Sequence, residues 1–313
     1  MKTKPFTQTC FCLTLAALLA SLAFAQQNPT ANGTQVQMVV TVEPRHNAEV
    51  TVNREDVLVY EGKNRDQVTD WVPAQIDRVG LELFILIDDS SNTELGTQLA
   101  DVKKFIAAQP AAAKVGVAYM QNGIARIDQN LTTDHELAAK AVRLPMGVSG
   151  AEASPYFSLS DLAKRWQKDG TRHEVLVVSN GIDLYYGSGD MLDPYLAAAI
   201  EDSQRAGIVV SAIYAPGVGH FGHSRWLNYW GQLYLAKLAE DTGGEAYYIG
   251  FNGPAVDFAP YLKDLTDRMS RQYLLTFLAK PQKKSGMQPV KIRTELHNVD
   301  LVAADRVYVP ASE

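Results

Sequence analysis

Cysteine is nearly absent from this chain: it occurs twice in 313 residues, as Cys10 and Cys12, both within the apolar opening. A disulfide framework, a thiolate metal site and a cysteine nucleophile are therefore excluded from everything that follows. Long apolar runs are missing as well. After Phe24 nothing approaches the roughly 20 residues that a membrane-spanning helix needs. Basic residues are the minority, with 29 Lys and Arg against 35 Asp and Glu, so nucleic acid is not expected as a partner. There is no G-x-S-x-G elbow, no H-E-x-x-H pair and no glycine-rich phosphate loop ending in Lys-Ser/Thr. A hydrolase would need a nucleophile and base brought together by the fold alone.

What is present begins with a leader. Lys2 and Lys4 precede an apolar stretch that ends in Ala23-Phe24-Ala25 before two glutamines. That pattern is a secretory signal peptide cut after Ala25, which implies a secreted or periplasmic protein. Its removal takes away two lysines and no acid, leaving 27 basic against 35 acidic residues and a formal charge of −8. Residues 26–35 are polar and read as a flexible leader.

Two kinds of pattern follow. Residues 36–42 and 50–60 look like strands separated by turn residues, so 36–80 form a β-rich flank. From residue 81 short apolar strands alternate with amphipathic helices. FILID is followed by a helix with Leu95, Leu99, Val102, Phe105 and Ile106 on one face, and then by VGVAYM. Helices are expected over 135–143, 158–168, 194–206 and 226–241, strands at 175–178, 208–214 and 246–249, and a last helix through Phe258, Leu262, Leu265 and Met269. After residue 270 the pattern is β-like again, in QYLLTFLAK and VKIRTELH. Alternation of this kind implies a mostly parallel sheet covered by helices on both faces over 81–270. The segments 36–80 and 271–313 flank it as β-rich stretches.

Ligands of open parallel sheets bind at the carboxyl ends of the strands. LFILIDDSSN and VLVVSNGID both turn polar at that edge. Asp88, Ser90 and Asn92 are spaced so that oxygens of one turn converge on a point, which suits a hard cation such as magnesium. Equally, Ser or Asn there can cap the helix that follows.

The succession FILIDDSSN, amphipathic helix, KVGVAYM, EVLVVSNGID, GIVVSAIYA and TGGEAYYI resembles the von Willebrand factor type A domain. With the β-rich start and the ending SRQYLLTFLAKP, it resembles the secreted bacterial VWFA-related domain proteins common in Acidobacteria, over residues 36–310. The resemblance implies a doubly wound α/β fold, a small β-rich companion in which the flanks 36–80 and 271–313 pack together, and a metal-ion-dependent adhesion site written Asp-x-Ser-x-Ser, completed by a threonine and an aspartate from later loops. Asp88 matches the first aspartate and Ser90 the first serine. Asn92 stands in place of the second serine, Ser154 (with Ser149 as competitor) in place of the threonine, and Asn180 in place of the aspartate. A site so altered is degenerate, because Asn180 keeps an oxygen but loses a charge. Mg2+ or Mn2+ would be held weakly, Asp89 and Asp183 are the neighbouring acids able to compensate, and a partner's acidic side chain would complete the coordination.

Two further groups lie near that edge. His220 and His223 in PGVGHFGHSRW have zinc-like spacing but lack further ligands, so an exposed loop is the simpler reading. Trp226, Tyr229, Trp230 and Tyr234 are partly core at helical spacing. Rings left exposed, Trp226 among them, with Tyr185, Tyr186, Asp89, Asp183, His220 and His223, would form a binding rim for a protein partner. The sequence thus predicts a non-catalytic binding or adhesion module using that rim, or alternatively a metal-independent interaction or scaffold module.

Overall fold

The computed structural model describes residues 33–45, 50–148, 154–166, 170–187, 189–190, 192–247 and 257–311. The expected signal peptide lies outside them. Three strands come first, β1 (Thr34–Pro44), β2 (Val57–Glu61) and β3 (Asn64–Pro73). Next come α1 (Ile76–Val79), β4 (Leu81–Asp88), α2 (Gly96–Ala107), β5 (Lys114–Gln121), β6 (Ile124–Thr132), α3 (His135–Lys140) and α4 (Pro155–Arg165). The alternation continues with β7 (Arg172–Ser179), α5 (Pro194–Ala206), β8 (Ile208–Tyr214), α6 (Gly219–His223), α7 (Arg225–Thr242), β9 (Ala246–Tyr247) and α8 (Ala259–Ser270). Five strands close the chain: β10 (Gln272–Ala279), β11 (Gly286–Pro289), β12 (Lys291–Thr294), β13 (Val299–Ala303) and β14 (Arg306–Val309).

The central sheet has the order β6-β5-β4-β7-β8-β9. Its pairs are parallel except the antiparallel edge β5–β6. Order reverses between β4 and β7, the place where a doubly wound sheet opens a crevice at its carboxyl edge. Every residue of β4 and of β7 is buried. Strand alternation sends successive side chains to opposite faces. Leu83, Ile85 and Ile87 accordingly join Val102, Ile106, Leu262 and Leu265 in one core. Phe84 and Leu86 join Leu159, Leu162, Leu196 and Leu235 in the other.

The helices are delimited by local chemistry. Asp193 accepts from the amides of Tyr195 and Leu196, Pro194 opens α5, and Gly207 closes it at φ 71°. Ser224 caps α7 through Leu227 N, and Gly243 ends it at φ 82°. Both ends follow the usual asymmetry of acceptor first and left-handed glycine last.

The two flanks build one antiparallel sheet in the order β12-β2-β3-β10-β1-β13, with a separate two-stranded antiparallel sheet of β11 and β14. β1 pairs with β10 over eight registered positions, from Thr34 against Ala279 to Thr41 against Gln272. Val40, Val59, Leu275 and Phe277 are fully enclosed there. The fold is the expected doubly wound α/β with a β-rich companion made from both ends of the sequence.

Local boundaries differ from the sequence reading for physical reasons. The stretch 50–60 holds a short 3-10 turn, with Asn53 and Asp56 bonding reciprocally, before β2 starts at Val57. β3 and β6 were not anticipated. Both are half-buried strands rich in charged and polar residues, with patterns too polar to mark a buried face. The helix expected over 158–168 begins earlier, at Pro155, because proline is well suited to the first helical position.

Candidate functional site

β4 and β7 are neighbours in register, with Ile87 opposite Val178. Their last residues, Asp88 and Ser179, therefore meet at the carboxyl edge. Ser179 Oγ donates to Asp88 Oδ2 at 2.7 Å. The other oxygen, Oδ1, accepts from Ser90 N at 2.8 Å and Ser90 Oγ at 2.7 Å. Ser90 Oγ in turn accepts from Asn180 Nδ2 at 3.1 Å. Asp88 is 5% exposed, and burial pushes its carboxyl up despite the bonds from Ser90 and Ser179. Ser179 was missed in the sequence. Its signal was the matched polar ending of two adjacent buried strands, FILID and VLVVS.

Asn180 is oriented by its own turn: Oδ1 accepts from Ile182 N at 2.8 Å, so the amide N–H faces Ser90. The turn is pressed against α7. A Cβ on Gly231 would overlap Asn180 O, and one on Gly181, at φ 69°, would overlap Gly231 O.

The remaining expected ligands go elsewhere. Asn92 Oδ1 accepts from Glu94 N at 2.9 Å, closing a local turn ahead of α2. It neither joins Asp88 nor caps the helix, whose first flanking residue is Leu95. Ser154 lines the same small recess as Asp88 and Ser90, but its Oγ donates to Asp183 Oδ2 at 2.8 Å. Ser149 lies outside the described residues.

The two acids meant to compensate are also engaged. Asp89 is 1% exposed and takes both Arg143 Nη1 (2.7 Å) and Nη2 (2.8 Å), together with Gln121 Nε2 and Met146 N. Burial raises its carboxyl, but Arg143 and Gln121 outweigh that and hold it below the usual range. It belongs to an internal ion pair and not to an exposed rim, which corrects its expected place. Asp183 is fully buried and accepts from Tyr185 N (2.8 Å) and Tyr186 N (2.9 Å), so it too lies beneath the rim and not on it, held there by the turn it closes. Asp193 lies beside it, its carboxyl raised by burial and by the Asp183 charge, with Oδ2 left without a hydrogen-bond partner.

As bonded in the fold, this donor set leaves few free oxygens for a divalent cation. One carboxylate contributes charge, three of its about four lone-pair sites already accept from hydroxyl and amide donors, and an N–H occupies the direction from Asn180. Hard cations take six or more oxygens, and magnesium fills them with one or two carboxylates, neutral oxygens and several waters. Among the described residues no group of three or more His, Cys, Asp or Glu is placed to hold a metal.

Exposed rings surround this closed cluster. Tyr185 (53%), Tyr186 (46%), Trp226 (56%) and Tyr229 (45%) face solvent, with Leu192 at 80%. Tyr185 and Tyr186 are seated on Asp183 through their amides and pack edge-on against Tyr195, which also meets Phe157. Trp226 reaches across to Gly189. His223 is exposed at the end of α6, a short helix where a loop was expected, and the side chain of His220 lies outside the described ones.

The molecule is thus a doubly wound α/β protein with a hydrogen-bonded polar cluster and an aromatic rim at the carboxyl edge of its sheet. No family model and no curated protein matches the chain. Solved VWA-domain proteins are among the structures similar to it. An aerotolerance-related membrane protein from Bacteroides fragilis aligns at 16% identity and a TM-score of 0.43, over 61% of this chain and 98% of that one. The ArnB paralog VWA2 from Sulfolobus acidocaldarius aligns at 8% identity and 0.42, over 88% and 76%. Manganese-loaded TRAP protein from Plasmodium vivax aligns at 10% and 0.39, over 80% and 98%.

Proposed function

We propose that the chain is an exported, non-catalytic binding module that engages a protein partner at the aromatic rim, without a bridging cation. The observation that supports this most is the contrast at the carboxyl edge. The polar residues there bond to one another, while Tyr185, Tyr186, Leu192, Trp226 and Tyr229 remain open to solvent. Tyrosine and tryptophan on a rigid scaffold are the usual anchors of protein interfaces. Their support is rigid here: Asp183 fixes the turn of Tyr185 and Tyr186, and Ser154 fixes Asp183. Export rests on the leader of residues 1–25. No helix among the described residues is long and apolar enough to cross a membrane.

The test is chemical cross-linking in the periplasmic and secreted fractions of the source cells. Wild type is compared with Tyr185→Ala/Trp226→Ala, with an Asp88→Ala variant, and with wild type in a chelator. A partner band that disappears in the aromatic variant and survives the chelator supports the reading. A band that survives the aromatic change but vanishes with chelator and with Asp88→Ala would show cation-dependent adhesion instead.

A further inference from the structure

The opposite edge of the central sheet, where the parallel strands begin, holds an apolar cavity of about 370 Å³. It lies between the segment 74–77, the ends of α2 and α8, and the first residues of β4 and β7. Ala74, Ile76, Leu81, Pro110 and Met269 supply its apolar wall. Its volume falls in the range of small-molecule sites, roughly 300 to 1,000 Å³.

Arg172 is the one basic residue of the lining, and it is 3% exposed. The bonds it makes go to neutral groups: Nη1 donates to Met269 O at 2.8 Å and to Gln272 Oε1 at 2.6 Å. Its Nε is buried with no hydrogen-bond partner. Glu174, on the same face of β7, supplies only part of a counter-charge, since burial pushes its carboxyl up to about 7. A guanidinium in an apolar wall without a bonded anion is a costly arrangement and a ready receptor for a carboxylate.

We propose that this cavity binds an amphipathic monocarboxylate, in chemical class a medium-chain fatty acid, with its head on Arg172 and its chain against Ile76, Leu81, Pro110 and Met269. A single cation matches a single charge. Asp77, the one acid of the lining, disfavours anions of higher charge. The position carries a consequence for the molecule as a whole. The segment 74–77 joins β3 of the companion sheet to β4, and α8 leads directly into β10, so the ligand would touch both covalent connections between the two sheets.

The experiment is calorimetric titration of the full chain with decanoate, below the concentration at which it forms micelles, and with decanamide as the uncharged match. Decanoate is expected to bind saturably at one site, with decanamide roughly 10- to 100-fold weaker for want of a charged hydrogen bond. Ile76→Trp, at a partly exposed wall position, fills the cavity and is expected to abolish binding while its thermal transition stays close to wild type. Arg172→Met is expected to erase the preference for decanoate over decanamide. Should that variant fail to fold, the decanoate and decanamide comparison on wild type still decides. Absence of saturable decanoate binding, equal binding of the amide, or binding undiminished in folded Ile76→Trp would overturn the proposal.

Discussion

Glu174 offers the sharpest test of the electrostatics. It lies at the seam between the central sheet and the companion sheet, 2% exposed, with Oε1 lacking a hydrogen-bond partner. Burial raises its carboxyl from 4.5 to about 7, against the opposing pull of Arg172, Gln272 and Arg268. The folded state therefore keeps this proton to a higher pH than the unfolded chain does. Its contribution to stability is fully present below about pH 4.5 and is lost as pH rises through about 7. At about 1.4 kcal/mol per pH unit, the loss between pH 5 and pH 8 comes to about 2 to 3 kcal/mol. Glu174→Gln removes the titration and keeps the shape. In urea unfolding measured at both pH values, the variant should gain on wild type by that amount between pH 5 and pH 8. A difference that changes by under about 1 kcal/mol would refute the burial argument, because other titrating groups are common to both proteins.

Three further outcomes follow from the same geometry. Asp193→Asn keeps the cap on α5 and turns the lone buried acceptor beside Asp183 into a donor, so a gain of about 1 kcal/mol is expected near neutral pH. Because the Asp193 carboxyl is raised in the fold, that gain should shrink as pH falls, and pH-dependent unfolding checks both size and sign. Gly231→Ala forces a methyl into Asn180 O, for an expected loss of about 1 to 3 kcal/mol, read by thermal or urea unfolding. Millimolar magnesium or manganese should leave the melting temperature unchanged; a saturable rise that Asp88→Ala abolishes would refute the donor-set argument.

The fold was legible where burial dictates pattern. FILID and VLVV are apolar on consecutive positions because both faces of β4 and β7 are covered, and that signal survives without any structure. The pairing of the two flanks came from the resemblance, since β1 and β10 lie more than 200 residues apart and no local rule joins them. β3 and β6 were illegible because strands beside solvent carry polar residues at every other place or more, and β propensity depends strongly on such context.

The candidate site was legible in position and not in wiring. Topology alone put Asp88, Ser90 and Asn180 at one edge, and the structure brings them into contact. Where each oxygen points was decided by turns of two or three residues: Asn92 to Glu94 N, Asn180 to Ile182 N, Asp183 to the amides of Tyr185 and Tyr186. Short polar side chains compete for nearby backbone amides in this way whenever a strand ends in a tight loop. Shared spacing with a ligand motif therefore marks convergence of backbone, while the hydrogen bonds decide whether lone pairs remain for a ligand.

The same accounting favours the other edge of the sheet as the place with unmet demand. Around Asp88 the bonds among Ser90, Ser179 and Asn180 are already made and a ligand arriving there would have to displace them, and what stays unmet beside them is a neutral hydroxyl, Ser158 Oγ in the same recess. At Arg172 a buried cation holds two neutral acceptors, one nitrogen without any, and an apolar cavity against its side. A buried cation with no hydrogen-bonded anion and only part of a counter-charge from Glu174 is the costlier of the two conditions and the one a ligand relieves. On that ground a partner protein belongs at the carboxyl edge, through exposed rings, and a small carboxylate at the amino edge, through Arg172.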